Sequence, residues 1–136
     1  MLGRTVRPEL RALLDTYAAR IRRFVEIEIR ELRETRKAFR QLQFAPGAAV
    51  VLLDEAGKQL SSTQFADWLR GLRDRGLREM VFLCGDADGF PQHVRDAAGH
   101  LLSLSNLTMS HELARVVLAE QIYRAFTILA GHPYAK

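Results

Sequence analysis

The sequence predicts an α/β fold, a mostly parallel sheet with helices on both faces. Two continuous apolar runs, Ala48 to Leu53 and Met80 to Cys84, have the pattern of strands that are buried on both sides, as in a parallel sheet. Segments with apolar residues at helical spacing lie around these runs. Strands that alternate with helices form βαβ units, and the pattern therefore favours a mostly parallel sheet.

The first third of the chain contains a predicted amphipathic helix that begins near Pro8. After it, Val25, Ile27 and Ile29 alternate with charged residues, which predicts a strand with one buried face. The stretch from Arg33 to Pro46 is polar and basic, and it fits either a short helix or a mobile excursion. The apolar residues of the first helix recur at three- and four-residue steps: Leu10, Leu13, Leu14, Tyr17, Ile21 and Phe24.

The middle of the chain carries start and stop signals for a second helix. We expect Asp54 to Lys58 to turn the chain after the first buried strand. Ser61 and Gln64 form a capping-box pattern, and Gly76 can end the helix that follows. The inner face of this helix is predicted to consist of Phe65, Trp68, Leu69 and Leu72.

The last third ends in one long helix and a short polar tail. Pro91 can open a short helix to about Ala98, and a strand from Leu101 to Leu104 follows. Ser110 suits the N-cap of the long helix, Gly131 can close it in the left-handed conformation, and Pro133 prevents its resumption. The apolar residues of this helix are spread around its circumference: Leu113, Val116, Val117, Ile122, Phe126 and Leu129. This distribution favours contact with both its own sheet and a partner helix. Burial on all sides within one chain is the alternative.

Composition points to a cytoplasmic protein with a basic first third. The 136 residues carry a formal net charge of +4 and hold no run of about 18 apolar residues that could span a bilayer. There is no signal-like apolar segment at the start, and a single cysteine cannot form an internal disulfide. Residues 1–44 contain eleven Lys and Arg against six Asp and Glu. This excess fits either a phosphate-binding surface or an ordinary solvated face.

Several familiar sites are excluded by their spacing. His111 and Glu112 begin a zinc-protease pattern, but position 115 is Arg where a second His is needed. The other histidines are scattered, so we expect no metal site. Cys84 ends a buried strand, where a thiol usually serves packing. Glycine-rich nucleotide motifs are absent from the sequence.

The ends of three predicted strands remain as the candidate site. They are Leu53-Asp54, Gly85 to Gly89, and Leu104 to Met109. Ligands of open α/β sheets bind at this edge, and small polar residues there let backbone groups contact a flat adenine ring. Ordinary βα turns are the alternative interpretation.

Four segments together resemble one family. They are LDEAGKQLSS from Leu53, the loop Gly85 to Gly89, LSLSNLTMSHELARVVLAEQIYRA from Leu102, and the tail His132-Pro133-Tyr134. This combination, over roughly residues 7–136, resembles the RlmH-type ribosomal RNA large subunit methyltransferases of the SPOUT superfamily.

The resemblance implies a fold, an activity and a site. It implies one SPOUT-like domain over residues 1–136 with a C-terminal trefoil knot, acting as a homodimer. The activity would be transfer of a methyl group from S-adenosyl-L-methionine to N3 of a pseudouridine in large-subunit rRNA of the assembled 70S ribosome. His132 and Tyr134 would position the base and assist its deprotonation, with Arg115 or Arg124 near RNA phosphates or the cofactor. Cofactor contacts would come from Leu53, Gly85, Leu104, Ser105, Asn106, Leu107, Thr108 and Met109.

Three features depart from the family pattern. Ala135 stands where the tail usually has a second His, and Asp86 follows Gly85 where a second Gly is usual. The first strand of the family is missing or vestigial before Thr5. These departures leave a second hypothesis, a degenerate, non-catalytic module of the same fold that binds RNA or ribosomes.

Overall fold

A computed structural model describes residues 7–28, 44, 47–77, 79–84, 92–105, 107 and 109–135. Three parallel strands within this part form a sheet in the order β2-β1-β3, and helices flank it. The α/β architecture with a parallel sheet is therefore confirmed. In chain order the elements are α1 (Pro8–Ile21), β1 (Ala49–Gln59), α2 (Ser62–Asp74), β2 (Met80–Leu83), α3 (Gln92–Ala97), β3 (His100–Ser103), α4 (His111–Leu129) and a 3-10 turn (Pro133–Ala135).

The two faces of β1 bury alternate residues in two separate cores. Val51 and Leu53 belong to the larger core, which α1, α2 and α4 share. Val50 and Leu52 belong to a smaller core with Val94 of α3. Alternation follows from the two-residue period of a strand, and it confirms that helices cover both faces of the sheet.

The first strand is longer than the sequence predicts. Asp54 to Lys58 were expected to turn the chain, but β1 continues to Gln59. Its pairing with β3 is interrupted, because Leu102 lies opposite both Leu53 and Lys58. The residues between these two pairs form a large irregularity in the strand, after which the same two strands pair again.

Gly57 allows this second pairing. A Cβ atom at position 57 would lie 2.8 Å from three backbone atoms of Leu101 and Leu102. Real Cβ atoms essentially never approach other atoms so closely. Only glycine lets β1 lie against β3 at this point.

The predicted strand after α1 is wrong for residues 25–28. In place of a strand, the chain makes a turn in which the N–H groups of Phe24 and Val25 donate to the carbonyl of Ile21, at 2.8 and 3.1 Å. Backbone groups used in this turn are unavailable for a sheet ladder, although the side chains alternate. The described residues do not include the end of that predicted strand, from Ile29. They also leave out the stretch from Arg33 to Pro46, except for Phe44.

The predicted helix ends are confirmed. Ser61 and Gln64 form both hydrogen bonds of a capping box at the start of α2. Gly76 and Gly131 have φ angles of +84° and +70°, in the left-handed region that favours glycine. Ser110 accepts a hydrogen bond from the Leu113 N–H at the start of α4. None of the helices in the described part of the chain is long and apolar enough to cross a membrane.

Candidate site at the strand ends and the C-terminal tail

The carboxyl ends of β2 and β3 lie on the two sides of β1, next to its middle. Leu52 pairs with Leu83 of β2, and Leu53 pairs with Leu102 of β3. The parallel register thus brings two of the three predicted strand exits, at Leu53 and Leu104, to one edge of the sheet. The third predicted exit begins at Gly85, which lies outside the described residues.

Serine side chains shape the segment between β3 and α4. The buried Ser103 hydroxyl donates to the carbonyl of Ser105 at 3.0 Å. The Ser105 hydroxyl in turn accepts from the N–H of Leu107 at 2.9 Å. These two bonds fix a tight turn in which the Leu107 side chain is 77% exposed.

The strand-end segment combines apolar and polar groups. A leucine as exposed as Leu107 offers apolar surface to a flat ring, and Leu104 and Met109 are half-buried in the same segment. Ser105 provides a polar group beside them. Asn106 and Thr108, the remaining predicted contacts, lie outside the described residues.

The C-terminal tail is turned by a Schellman motif at the end of α4. The His132 N–H donates to the carbonyl of Thr127 at 2.8 Å, and the Gly131 N–H donates to that of Ile128 at 3.1 Å. The 3-10 turn then follows. It places the ring of Tyr134 4.6 Å from that of Tyr123, measured between centroids. The tail therefore packs on the side of its own helix.

Glu120 of α4 is the centre of the polar contacts that hold the tail. Its Oε1 accepts hydrogen bonds from the Tyr134 hydroxyl at 3.1 Å and from Arg124 Nε and Nη2 at 2.9 and 2.6 Å. Its Oε2 accepts from the Gln121 amide at 2.8 Å, and the Ser62 hydroxyl of α2 donates to Gln121 Oε1 at 2.7 Å. Sequence reasoning missed Glu120, although its i,i+4 spacing from Arg124 is a readable signal for an ion pair.

The phenol of Tyr134 is held in its protonated form. Loss of hydration, followed by hydrogen bonds with Tyr17 and Glu120 and by the negative charge of Glu120, raises the pKa of Tyr134 above its usual value of 10.0. At neutral pH this side chain is therefore a hydrogen-bond donor and not a proton acceptor.

His132 is exposed, and one of its ring nitrogens is already engaged. Its Nδ1 accepts a hydrogen bond from the backbone N–H of Tyr134 at 3.2 Å. In the neutral ring this places the proton on Nε2. His132 thus presents an exposed N–H donor, and it can accept a proton only by releasing the Tyr134 N–H.

The two predicted arginines lie in different surroundings. The Arg124 guanidinium lies 5.2 Å from the centroid of the Tyr134 ring, and its bond to Glu120 raises its pKa. The structure thus brings Arg124 together with Tyr134. Arg115 is only 2% exposed, so it is buried within the chain and offers no open surface to an RNA phosphate.

Cys84, at the end of β2, is a packing residue. It is 1% exposed, and burial raises the pKa of its thiol to about 12, against a smaller opposing effect of the positive charge of Arg115. A thiol in this state is a poor nucleophile. Over the described ranges, no three His, Cys, Asp or Glu side chains are grouped so that they could hold a metal ion.

The fold defines an α/β protein with a parallel sheet, and the candidate site lies along the ends of β2 and β3. Comparison with known families gives one match, to the family described as "Predicted SPOUT methyltransferase", over residues 1–135. The chain belongs to the SPOUT methyltransferase family.

Similar proteins extend over nearly the whole chain. "Ribosomal RNA large subunit methyltransferase H" of Geobacter metallireducens is 44% identical, and the alignment covers 98% of this chain and 94% of the relative. The proteins of the same name from Koribacter versatilis and Gloeobacter violaceus are 39% and 43% identical. The Koribacter alignment covers 98% of this chain and 92% of the relative. The Gloeobacter alignment covers 87% of this chain and 83% of the relative.

Proposed function

We propose that this chain is a large-subunit ribosomal RNA methyltransferase that uses S-adenosyl-L-methionine. Its target would be N3 of a pseudouridine in the assembled 70S ribosome, and it would act in the cytoplasm. The observation that carries the proposal is the match, over 98% of the chain, to a protein named for this class of activity.

The strand-end segment is the proposed cofactor site. Bound S-adenosyl-L-methionine would supply an electrophilic methyl group. Leu53, Leu104 and the exposed Leu107 would give the apolar surface for its adenine ring, and Ser105 would add a polar contact. The full proposed set also includes Gly85, Asn106, Thr108 and Met109.

The tail is the proposed site for the target base. N3 of pseudouridine carries a proton, which must leave before or during its attack on a methyl carbon. Tyr134 is protonated and donates its hydroxyl hydrogen to Glu120, so we assign its ring, held in place by that bond, the role of positioning the base. His132 Nε2–H would donate to a carbonyl of the ring, which lowers the cost of removing the N3 proton. Most of the rate would then come from alignment of the ring nitrogen with the methyl group.

The proposal extends to the architecture. Residues 1–136 would form one SPOUT-like domain whose C-terminal helix passes through a knotted loop. Two copies would form a homodimer. The exposed Leu113 and the half-buried Phe126 and Leu129 of α4 support a second packing surface on this helix. Light scattering that gives a strict monomer would refute the dimer.

The decisive test is methyl transfer from labelled S-adenosylmethionine to ribosomes from cells that lack this modification. We expect label in the large-subunit rRNA, at a single pseudouridine when the RNA is mapped. A control with fully modified ribosomes should stay unlabelled. Absence of transfer to undermodified ribosomes, under conditions where a relative is active, would refute the proposal.

A second candidate follows from two departures in sequence, Ala135 and Asp86. A degenerate module of the same fold would bind ribosomes but transfer no methyl group. Titration calorimetry with S-adenosylmethionine separates the two, because a catalytic chain must bind this cofactor. Restoring the family residue by Ala135→His gives a further comparison: the variant should gain activity if the missing imidazole limits transfer.

A further inference from the structure

The C-terminal end of α1 carries a cation that two aromatic rings hold in place. The Arg20 guanidinium carbon lies 5.5 Å from the ring centroid of Tyr17 and 5.6 Å from that of Tyr123. Arg20 is nevertheless exposed, and in the described part of the chain it forms no ion pair. The two ring centroids lie only 6.2 Å apart, so both rings contact the guanidinium from one side. This packing limits the conformations of a long side chain, so less entropy is lost when it binds an anion.

The same two rings also contact the tail. Tyr123 packs on the ring of Tyr134, and Tyr17 is near enough to the Tyr134 phenol to help raise its pKa. The centroid distances place Arg20 at most about 10 Å from the Tyr134 ring. This upper bound is about three times the axial spacing of roughly 3.4 Å between charges of one strand, so Arg20 lies within reach of a phosphate close to a base at the tail.

A second cation lies beside the first. Arg23 is also exposed and follows Arg20 by three residues, in a turn where its N–H donates to the Arg20 carbonyl at 3.3 Å. The exposed ring of Phe24 comes next and stacks on Phe126 of α4. The end of α1 therefore combines positive charge with aromatic surface, the composition that nucleic-acid surfaces favour.

We propose that Arg20, packed against the rings of Tyr17 and Tyr123, binds a backbone phosphate of the rRNA near the target nucleotide, with Arg23 as a second cation. The inference rests on the proposed function and adds the surface that holds the RNA. Arg20 touches a phosphate and not the reacting atoms, so it is a binding residue.

The test is the affinity for undermodified ribosomes at several salt concentrations, with Arg20→Ala compared with Arg75→Ala. Arg75 is an exposed arginine at the end of α2 and gives the same change in net charge. We expect Arg20→Ala to bind about three- to tenfold more weakly, with a salt dependence of log K smaller by about 0.7 to 0.9. Arg75→Ala should match the wild type in both quantities.

Two further measurements separate charge from packing. Arg20→Lys keeps the charge and should retain most of the salt dependence, whereas Arg20→Gln keeps a polar side chain without the charge and should behave like Arg20→Ala. Calorimetry with S-adenosylmethionine should give the wild-type affinity for all variants, which shows that the fold is intact.

The outcomes distinguish this inference from the proposed function. Wild-type protein that transfers no methyl group to rRNA refutes the function, whatever the variants do. If transfer occurs but Arg20→Ala and Arg20→Gln bind ribosomes with wild-type affinity and salt dependence, the assignment of Arg20 is overturned and the function stands.

Discussion

Tyr134 in the tail donates its hydroxyl hydrogen to Glu120, fourteen residues earlier on α4, at 3.1 Å. The same carboxylate oxygen accepts two hydrogen bonds from Arg124, whose guanidinium lies against the Tyr134 ring. The three side chains thus fix one another, and they fix the position of the tail on the helix. The orientation of the proposed base-binding group depends on a residue that contacts no substrate.

Tyr134→Phe removes this hydrogen bond and keeps the ring on Tyr123. The bond joins a neutral hydroxyl donor to a charged carboxylate acceptor and is half-buried. We therefore expect its removal to lower the free energy of unfolding by about 1 kcal/mol. Methyl transfer should fall by roughly ten- to a hundredfold because the base is misplaced. Denaturant titration and single-turnover assays measure the two effects. Wild-type transfer by this variant would remove the hydroxyl from the mechanism.

His132→Ala separates catalysis from stability. His132 is exposed, so its loss should leave the melting temperature near that of the wild type. Without a donor from this ring, we expect methyl transfer to fall roughly a hundredfold. The control is His93→Ala on α3, across the sheet, which should keep its activity. Equal rates for both variants would contradict the role of His132.

Gly57→Ala tests the close approach of β1 and β3. The added Cβ would meet three backbone atoms at 2.8 Å, so the strands must move apart. We expect a loss of about 1–3 kcal/mol in the free energy of unfolding. Gly71→Ala in α2 is the matched control, because nothing lies within 4 Å of its Cβ. It should stabilise the protein by about 0.4–1 kcal/mol. Equal effects of the two substitutions would show that Gly57 is not required.

The buried thiol of Cys84 gives a pH dependence. Its pKa is raised in the folded state to about 12 from 9.0, so the unfolded chain loses this proton first as the pH rises. The contribution to stability is full below pH 9 and is lost progressively toward pH 12. Urea titrations at several pH values should show a larger loss in the wild type than in Cys84→Ala, which keeps only the contribution of other groups such as Tyr134.

Reactivity gives a second check on the same residue. We expect a thiol reagent to label Cys84 slowly in the folded protein and rapidly in urea. Fast labelling of the folded protein at neutral pH would contradict the burial of this side chain.

Local signals predicted α1, the capping box at Ser61 and the left-handed glycines, because each depends on a few neighbouring residues. The prediction of a strand that begins at Val25 also relied on a local signal, and it was wrong over residues 25–28. Side-chain alternation gave the signal, but the backbone N–H groups of Phe24 and Val25 were already bonded to Ile21. Alternation of side chains does not report where the backbone hydrogen bonds go.

Long-range pairing explains the other misses. The continuation of β1 past Asp54 depends on β3, more than forty residues later, and no local pattern at Asp54 to Lys58 encodes it. Glu120 looked like an ordinary solvated residue of a helix. Its contacts with Gln121 and Arg124 are local, but its contact with Tyr134 exists only because the chain reverses at Gly131 and returns the tail to the same helix.

Because the chain reverses at Gly131, the length of α4 fixes the direction in which the tail leaves the helix. An α-helix advances by about 100° for each residue, since one turn contains 3.6 residues. One residue inserted between Glu120 and Gly131 would rotate the departing tail by that angle, and Tyr134 would no longer lie over Glu120. The number of residues from Glu120 to Gly131 therefore sets the position of the tail on α4, whereas substitutions that keep this number and the contacts of Glu120 leave that position unchanged.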